Sequence, residues 1–136
     1  GFRHEMLSVQ LAERVPDHLP ADTTQRDLAL HLIAAQHGRA RPFAPVVLDD
    51  NPRDVGLELP DIRLSLTAEV RKHRPPHRLD SGIAERFWSL TRHFGWWGLA
   101  YLEAVLRLSD QRASQNEDTQ EDNDTATNDE YAEARA

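Results

Sequence analysis

The sequence contains no cysteine, no long apolar run and no surplus of positive charge. Without cysteine the chain cannot form a disulfide or hold a metal through thiolates, so a metal site must use His, Asp or Glu. No apolar stretch approaches the ~20 residues that cross a bilayer, and no signal-peptide pattern is present. We therefore expect a cytoplasmic protein without a membrane partner.

The negative charge is concentrated at one end of the chain. Eight of the 23 acidic residues lie in residues 115–136, beside a single basic residue and almost no apolar side chain. Residues 1–114 keep 15 acidic and 15 basic side chains, so the net charge of -7 belongs to the tail. Such a segment cannot offset the entropy of its own ordering. We predict one folded domain at residues 1–114 and an acidic disordered tail or linker at residues 115–136.

Helical spacing of apolar residues dominates the predicted domain. It occurs in four segments, residues 2–14, 24–37, 81–93 and 96–114. The first segment stops before Pro16, Asp22 can cap the second, and Gly38 can end it. Phe94 and Gly95 form a turn between the last two. The fold class that we expect is all-α.

Residues 39–80 interrupt this helical pattern. They contain six of the eight prolines and no sustained helical period, which is typical of a long irregular loop. Alternating apolar residues at 57–59 and 62–66 allow a small β-hairpin within it.

Three short polar motifs fall on the predicted helices, Arg3-His4-Glu5, Gln36-His37-Gly38 and Leu108-Ser109-Asp110. We place His4, His37 and Asp110 on the apolar stripes of their helices, where the cost of burying a polar group needs compensation. A shared divalent metal ion is one explanation, because imidazole and carboxylate groups both ligate such ions.

Each motif also has a simpler explanation. His4 can be a core imidazole with one hydrogen bond. His37 can bind the terminal carbonyl groups of its helix and favour the helix dipole. Asp110 can form a salt bridge with Arg107, Arg112 or an arginine of the loop. Spacing alone does not show that the three side chains converge.

Longer stretches around these motifs carry a resemblance to a known family. They are Arg3-His4-Glu5 with Ser8, residues 32–42, and residues 97–110 with Ser114. In order and approximate spacing, including the proline-rich insertion, they resemble the C-terminal half of the HD nuclease domain of the CRISPR-associated type I helicase-nuclease. The similarity is greatest to the type I-G variety, formerly I-U.

The resemblance implies a helical metal-dependent nuclease that degrades single-stranded DNA with two transition metals, chosen from Mn, Fe, Co or Ni. It implies that His4 and His37 ligate one metal and Asp110 the other, with His37 and Asp110 as catalytic residues. Gln36 stands where the family usually has another His, and its amide oxygen is a poorer ligand. The implied partners are single-stranded DNA, the Cascade surveillance complex and the helicase domain of a parent protein.

The chain also departs from the family pattern. It contains no His-Asp dipeptide, the motif that names the family and supplies the Asp that bridges both metals. In the family this motif would precede Gly1, so we expect a fragment that is inactive alone. No Gly-rich phosphate loop ending in Gly-Lys-Ser/Thr is present, so a motor domain would follow the tail.

Basic and aromatic residues give two further predictions. The basic residues of the loop can lead a DNA backbone toward the site; they are Arg39, Arg41, Arg71, Lys72, Arg74 and Arg78. A solvated loop is the simpler alternative. Phe94, Trp96 and Trp97 can stack on bases, although we prefer core anchoring at these helix-entry positions.

Two other functions stay open from the sequence alone. The first is an HD phosphohydrolase that acts on nucleotides, which shares the helical scaffold and the metal chemistry. The second is a truncated, non-catalytic module that binds Cascade.

Overall fold

The computed structural model describes residues 4–46, 51–73 and 76–133, with the side chains of all of these except residues 73 and 117–133. Its helices are α1 His4–Ala12, α2 Thr23–Ala35, α3 Ala68–His73 and α4 Ile83–Glu133. Two strands, β1 Val55–Leu59 and β2 Ile62–Leu66, form an antiparallel pair. Short 3-10 turns lie at Pro16–His18 and Leu79–Ser81. The expected predominantly helical fold with a small hairpin is confirmed.

Helix α2 begins and ends as its sequence predicts, within two residues. Asp22 is the N-cap, and its Oδ1 accepts a hydrogen bond of 2.9 Å from the amide of Gln25. The helix ends at Ala35 instead of residue 37. Gly38 then adopts a positive φ of 75°, and its amide donates to the carbonyl of Ala35.

The hairpin occupies the proline-rich loop. Val55 faces Leu66 and Leu59 faces Ile62 across the pair, and Leu66 is buried. The six-residue α3 follows directly. The sequence analysis missed α3, because fewer than two helical turns give no recognisable apolar period.

Two apolar clusters form the core of the unit that spans residues 1–103. One joins α1 and α2 to the loop after α2 and to the start of α4, through Met6, Val9, Ala34, Ala40, Ala44 and Ile83. The other lies along α4 and contains Phe87, Leu90 and Leu99, with Leu28 of α2 and Phe94 packed against it. Together they fix the ends of α1 and α2 relative to α4.

Helix α4 changes direction at Gly95, as the predicted turn requires. Gly95 has φ 72° and ψ 166°, a backbone region that is nearly restricted to glycine. The break allows Phe94 and Leu99 to pack in the same apolar cluster.

Residues 104–136 form a second unit, and the predicted domain boundary after residue 114 lies inside it. The helical backbone of α4 runs through this unit to Glu133, where the sequence analysis predicts disorder. No Gly or Pro occurs after Gly98, and the segment is rich in Glu, Gln and Ala, which favour helix. Within the described ranges, no helix is both long enough and apolar enough to span a membrane.

Candidate functional site

The structure brings His4 and His37 together. Their Nε2 atoms are 2.9 Å apart, and the two rings meet edge to face with centroids 4.8 Å apart. His4 is the first residue of α1, and His37 lies just beyond the end of α2. Residues 33 positions apart in the chain therefore meet because α1 packs against α2.

The core explains why these two helix ends meet. Met6 and Val9 of α1 pack in one cluster with Ala34 of α2. Ala40, three residues after His37, is buried in the same cluster at a positive φ of 63°. A left-handed conformation is unfavourable for alanine, so packing must hold it there. The loop that carries His37 is thus fixed on both sides.

Glu5 brings a carboxylate to the pair, and the sequence analysis did not select it. Glu5 is buried, and its Oε2 is 3.8 Å from Nδ1 of His4. One ligand atom from each of His4, Glu5 and His37 can be chosen so that all three lie within 4.8 Å of one another. The sequence signal for Glu5 is its position directly after His4. An acidic residue in the first turn of a helix is usually exposed to solvent, so this position does not by itself indicate a site.

The spacing of the two imidazoles fits a shared metal ion. Nitrogen ligands about 2.1 Å from an ion and at right angles to each other are about 3.0 Å apart. A hydrogen bond between one protonated and one unprotonated nitrogen fits the same 2.9 Å. The geometry is therefore compatible with a metal and does not require one.

The predicted burial of the three motif residues is wrong. The side chain of His4 is 72 % exposed, and His37 and Asp110 are exposed as well. In α1 the buried face is Glu5, Met6 and Val9, one position away from the predicted stripe. Exposed polar side chains keep their contact with water, so burial gives no reason to expect a metal at these residues. The short distance between His4 and His37 is the feature that indicates one.

Asp110 and Gln36 are the other two predicted metal ligands. Gln36 is half-buried and is the C-cap residue of α2, directly before His37. Asp110 is exposed on α4 and belongs to the second unit. Its role at a common site with His4 and His37 stays a prediction.

The six predicted DNA-contacting cations divide into different environments. Arg39 and Lys72 are exposed, whereas Arg74 lies outside the described residues. Arg71 is buried, and its guanidinium donates to the carbonyl of Arg53 at 2.6 Å, which makes it a poor DNA contact. Arg78 forms two hydrogen bonds with Asp80, at 2.8 and 2.9 Å.

Arg41, whose own side chain is 37 % exposed, contacts a buried pair, His31 and Glu103, that the sequence did not predict. Its guanidinium pairs with Oε2 of Glu103, and His31 lies 2.7 Å from Oε1 of the same carboxylate. Both His31 and Glu103 are buried. Burial, followed by the charges of Arg41 and Arg86, lowers the pKa of His31 from 6.5 to about 4. A neutral His31 therefore donates its Nε2 hydrogen to Glu103.

This network ties three parts of the first unit together. His31 lies in α2, Arg41 lies in the loop after His37, and Glu103 lies in α4. A signal for it was present, because His31 and Glu103 each interrupt an otherwise apolar helical run.

Two of the three aromatic side chains for which we preferred core anchoring are exposed. Phe94 packs in the core, but Trp96 is 62 % exposed and Trp97 is 89 % exposed. Trp96 instead lines a cleft of about 250 Å³ together with Phe87, Trp88, Arg41 and Glu103. The preference failed because Trp96 lies against Phe87 at the edge of the apolar cluster instead of inside it, and Trp97 is almost fully exposed.

Comparison of the chain with protein-family models, with curated proteins and with solved structures finds no match.

Proposed function

We propose that this chain is part of a metal-dependent nuclease of the HD superfamily that degrades single-stranded DNA in CRISPR antiviral defence. The observation that carries the proposal is the 2.9 Å approach of the Nε2 atoms of His4 and His37. These are the two histidines for which the sequence resemblance implies one shared metal. A chance resemblance gives no reason for residues so distant in sequence to meet through their ligand atoms.

His4 and His37 would hold a divalent transition metal through their Nε2 atoms. When bound, such an ion activates water and offsets the charge of a phosphodiester. Oε2 of Glu5 lies 3.8 Å from Nδ1 of His4 and places a negative charge beside the imidazole that would hold the ion. Asp110 would be a ligand of a second metal, as the resemblance implies, and Cascade would recruit the intact protein.

Metal titration tests the centre of this proposal. We expect Ni²⁺, Co²⁺ or Mn²⁺, followed by calorimetry at neutral pH, to bind the chain at one site. His4→Ala and His37→Ala should each lower the affinity for the metal at least tenfold, since each removes one of the two imidazole ligands. His18→Ala is the matched control, because His18 is exposed on the 3-10 turn at Pro16–His18. Equal affinities in all four proteins would overturn the metal site.

The nuclease assignment has its own test. The chain alone is expected not to cut single-stranded DNA with added Mn²⁺, because this sequence contains no His-Asp pair to bridge two metals. The reading frame upstream of Gly1 should encode such a pair, and the longer protein should cut single-stranded DNA. An upstream frame without a His-Asp pair would contradict the HD nuclease. Release of phosphate from nucleotides, without DNA cleavage, would indicate the phosphohydrolase instead.

A further inference from the structure

The cleft beside Arg41 is built by the break in α4. Trp88 precedes Gly95 and Trp96 follows it, and their ring centroids are 5.7 Å apart at an interplanar angle of 88°. In an unbroken helix, residues eight positions apart are separated by about 12 Å along the axis. The break therefore brings the two indoles into contact.

Phe87 completes and fixes this aromatic group. Its ring lies edge to face with Trp88 at 5.1 Å and with Trp96 at 6.0 Å. Phe87 is itself buried in the core cluster of α4. The two indoles therefore pack against a buried ring, while Trp88 and Trp96 remain 41 % and 62 % exposed. Rigid aromatic rings presented to solvent bind a partner with little loss of side-chain entropy.

Polar groups lie at one side of the same cleft. Arg41 and Glu103 line it, and their ion pair places guanidinium hydrogens and a carboxylate next to the rings. His31 also contacts this carboxylate at 2.7 Å, which helps to hold the carboxylate in place beside the rings. A cleft of about 250 Å³ is smaller than the ~300–1,000 Å³ typical of drug-sized ligands and suits one planar ring system.

The cleft is close to the His4–His37 pair along the chain. Arg41 follows His37 by four residues, and four residues span at most about 14 Å. The cleft and the His4–His37 pair are therefore neighbouring features of the first unit.

We propose that this cleft binds one base of a single-stranded nucleic acid, stacked on the indole of Trp96 beside Trp88. The inference deepens the proposed nuclease function and rests on it for the identity of the polymer. Every base has a flat face that stacks on an aromatic ring, so the contact tolerates any sequence. A duplex hides those faces, so the cleft selects single strands. The Arg41–Glu103 pair can bond the polar edge of the stacked base.

Binding of a short oligothymidylate in the presence of a chelator tests the cleft without cleavage. We expect Trp96→Ala to weaken binding by about 5- to 150-fold, the range of one lost stacking contact, and Trp96→Phe to restore most of it. Trp97→Ala is the matched control. Trp97 is the neighbouring residue and is even more exposed, but it does not line the cleft. We expect less than a twofold change from Trp97→Ala.

The outcomes separate this inference from the metal site. Unchanged binding in Trp96→Ala, or equal losses in Trp96→Ala and Trp97→Ala, overturns the cleft. Equal affinity of the native chain for duplex and single-stranded DNA overturns it as well. If Trp96→Ala loses the oligonucleotide but still binds Ni²⁺ like the native chain, both proposals hold. If the native chain binds the oligonucleotide through Trp96 and takes up no metal, the cleft stands and the proposed metal-dependent function falls.

Discussion

Two histidine centres lie within residues 1–103, and they differ in almost every physical respect. His4 and His37 are exposed, and their nitrogens face each other at 2.9 Å. His31 is buried and lies 2.7 Å from the carboxylate of Glu103, which also pairs with Arg41. We call the first the open centre, because both of its histidines are exposed, and the second the closed centre, because His31 and Glu103 are buried.

The difference shows how the same side chain takes two roles. The closed centre already has its anion and its cation, so an added metal would have to displace Arg41. In the open centre the two imidazole nitrogens are exposed and 2.9 Å apart, and we propose that this pair binds a divalent ion. His31 and His37 are only six positions apart in the chain, so their surroundings and not their place in the sequence decide the role.

Removing the carboxylate of the closed centre should have the largest effect. We expect Glu103→Ala to lower the free energy of unfolding by about 2–5 kcal/mol, because buried His31 loses its hydrogen-bond acceptor and the truncation leaves a cavity. The ion pair with Arg41 adds little, since the side chain of Arg41 is 37 % exposed. Urea denaturation measures this change.

Glu85→Ala is the matched control, since Glu85 is exposed in the first turn of α4. Its cost should stay below about 1 kcal/mol. Equal costs for the two variants would mean that the Glu103 network does not hold the fold.

Acid should weaken the closed centre next. The pKa of His31 is about 4 in the folded chain and 6.5 for an unperturbed histidine, which represents the unfolded chain. As the pH decreases, the unfolded chain therefore binds a proton at His31 before the folded chain does. Stability therefore falls as the pH decreases from about 6.5 to about 4, by roughly 3 kcal/mol in total.

His31→Gln tests the origin of this pH dependence. Glutamine still donates a hydrogen bond to Glu103 but does not titrate. The variant should show a smaller loss of stability between pH 7 and pH 4.5 in urea denaturation. The same pH dependence in both proteins would assign the effect to other groups.

The sequence predicted the elements of the fold better than their buried faces. The cap at Asp22, the turn at Gly95 and the hairpin follow from local chemistry, and the structure confirms them. The buried face of α1 depends on which neighbour it packs against. Met6 and Val9 fit the surface of α2, whereas the predicted face contains His4 and Ser8.

For the candidate site, the proximity of two residues was expected, whereas their role at a metal stays a prediction. The pairing of His4 with His37 was expected from the resemblance, and the structure places their nitrogens together. The His31 network could not be predicted, because it joins α2 to a residue 72 positions later through packing that no local pattern encodes.

Metal should distinguish the open centre from the closed one. At a Ni²⁺ concentration of 100 times Kd, binding should stabilise the native chain by about 2.7 kcal/mol. His37→Ala should lose this gain and, without metal, should differ from the native chain by less than about 0.5 kcal/mol, because His37 is exposed. Thermal unfolding with and without Ni²⁺ measures both. Full stabilisation of His37→Ala by Ni²⁺ would show that the metal binds elsewhere.

The smallest effect is expected at Gln36, and it bears on how complete the open centre is. Gln36 is half-buried directly before His37, at the position where the resemblance expects another imidazole. Gln36→His should raise the affinity for Ni²⁺ or Mn²⁺ about tenfold, since neutral imidazole binds borderline divalent ions better than an amide oxygen does. Gln25→His adds the same side chain to the exposed first turn of α2 and should leave the affinity unchanged. Calorimetry of the native chain and the two variants compares them. If Gln36→His binds no better than Gln25→His, then Gln36 serves the end of α2 by packing, and the open centre is limited to His4, His37 and the neighbouring Glu5.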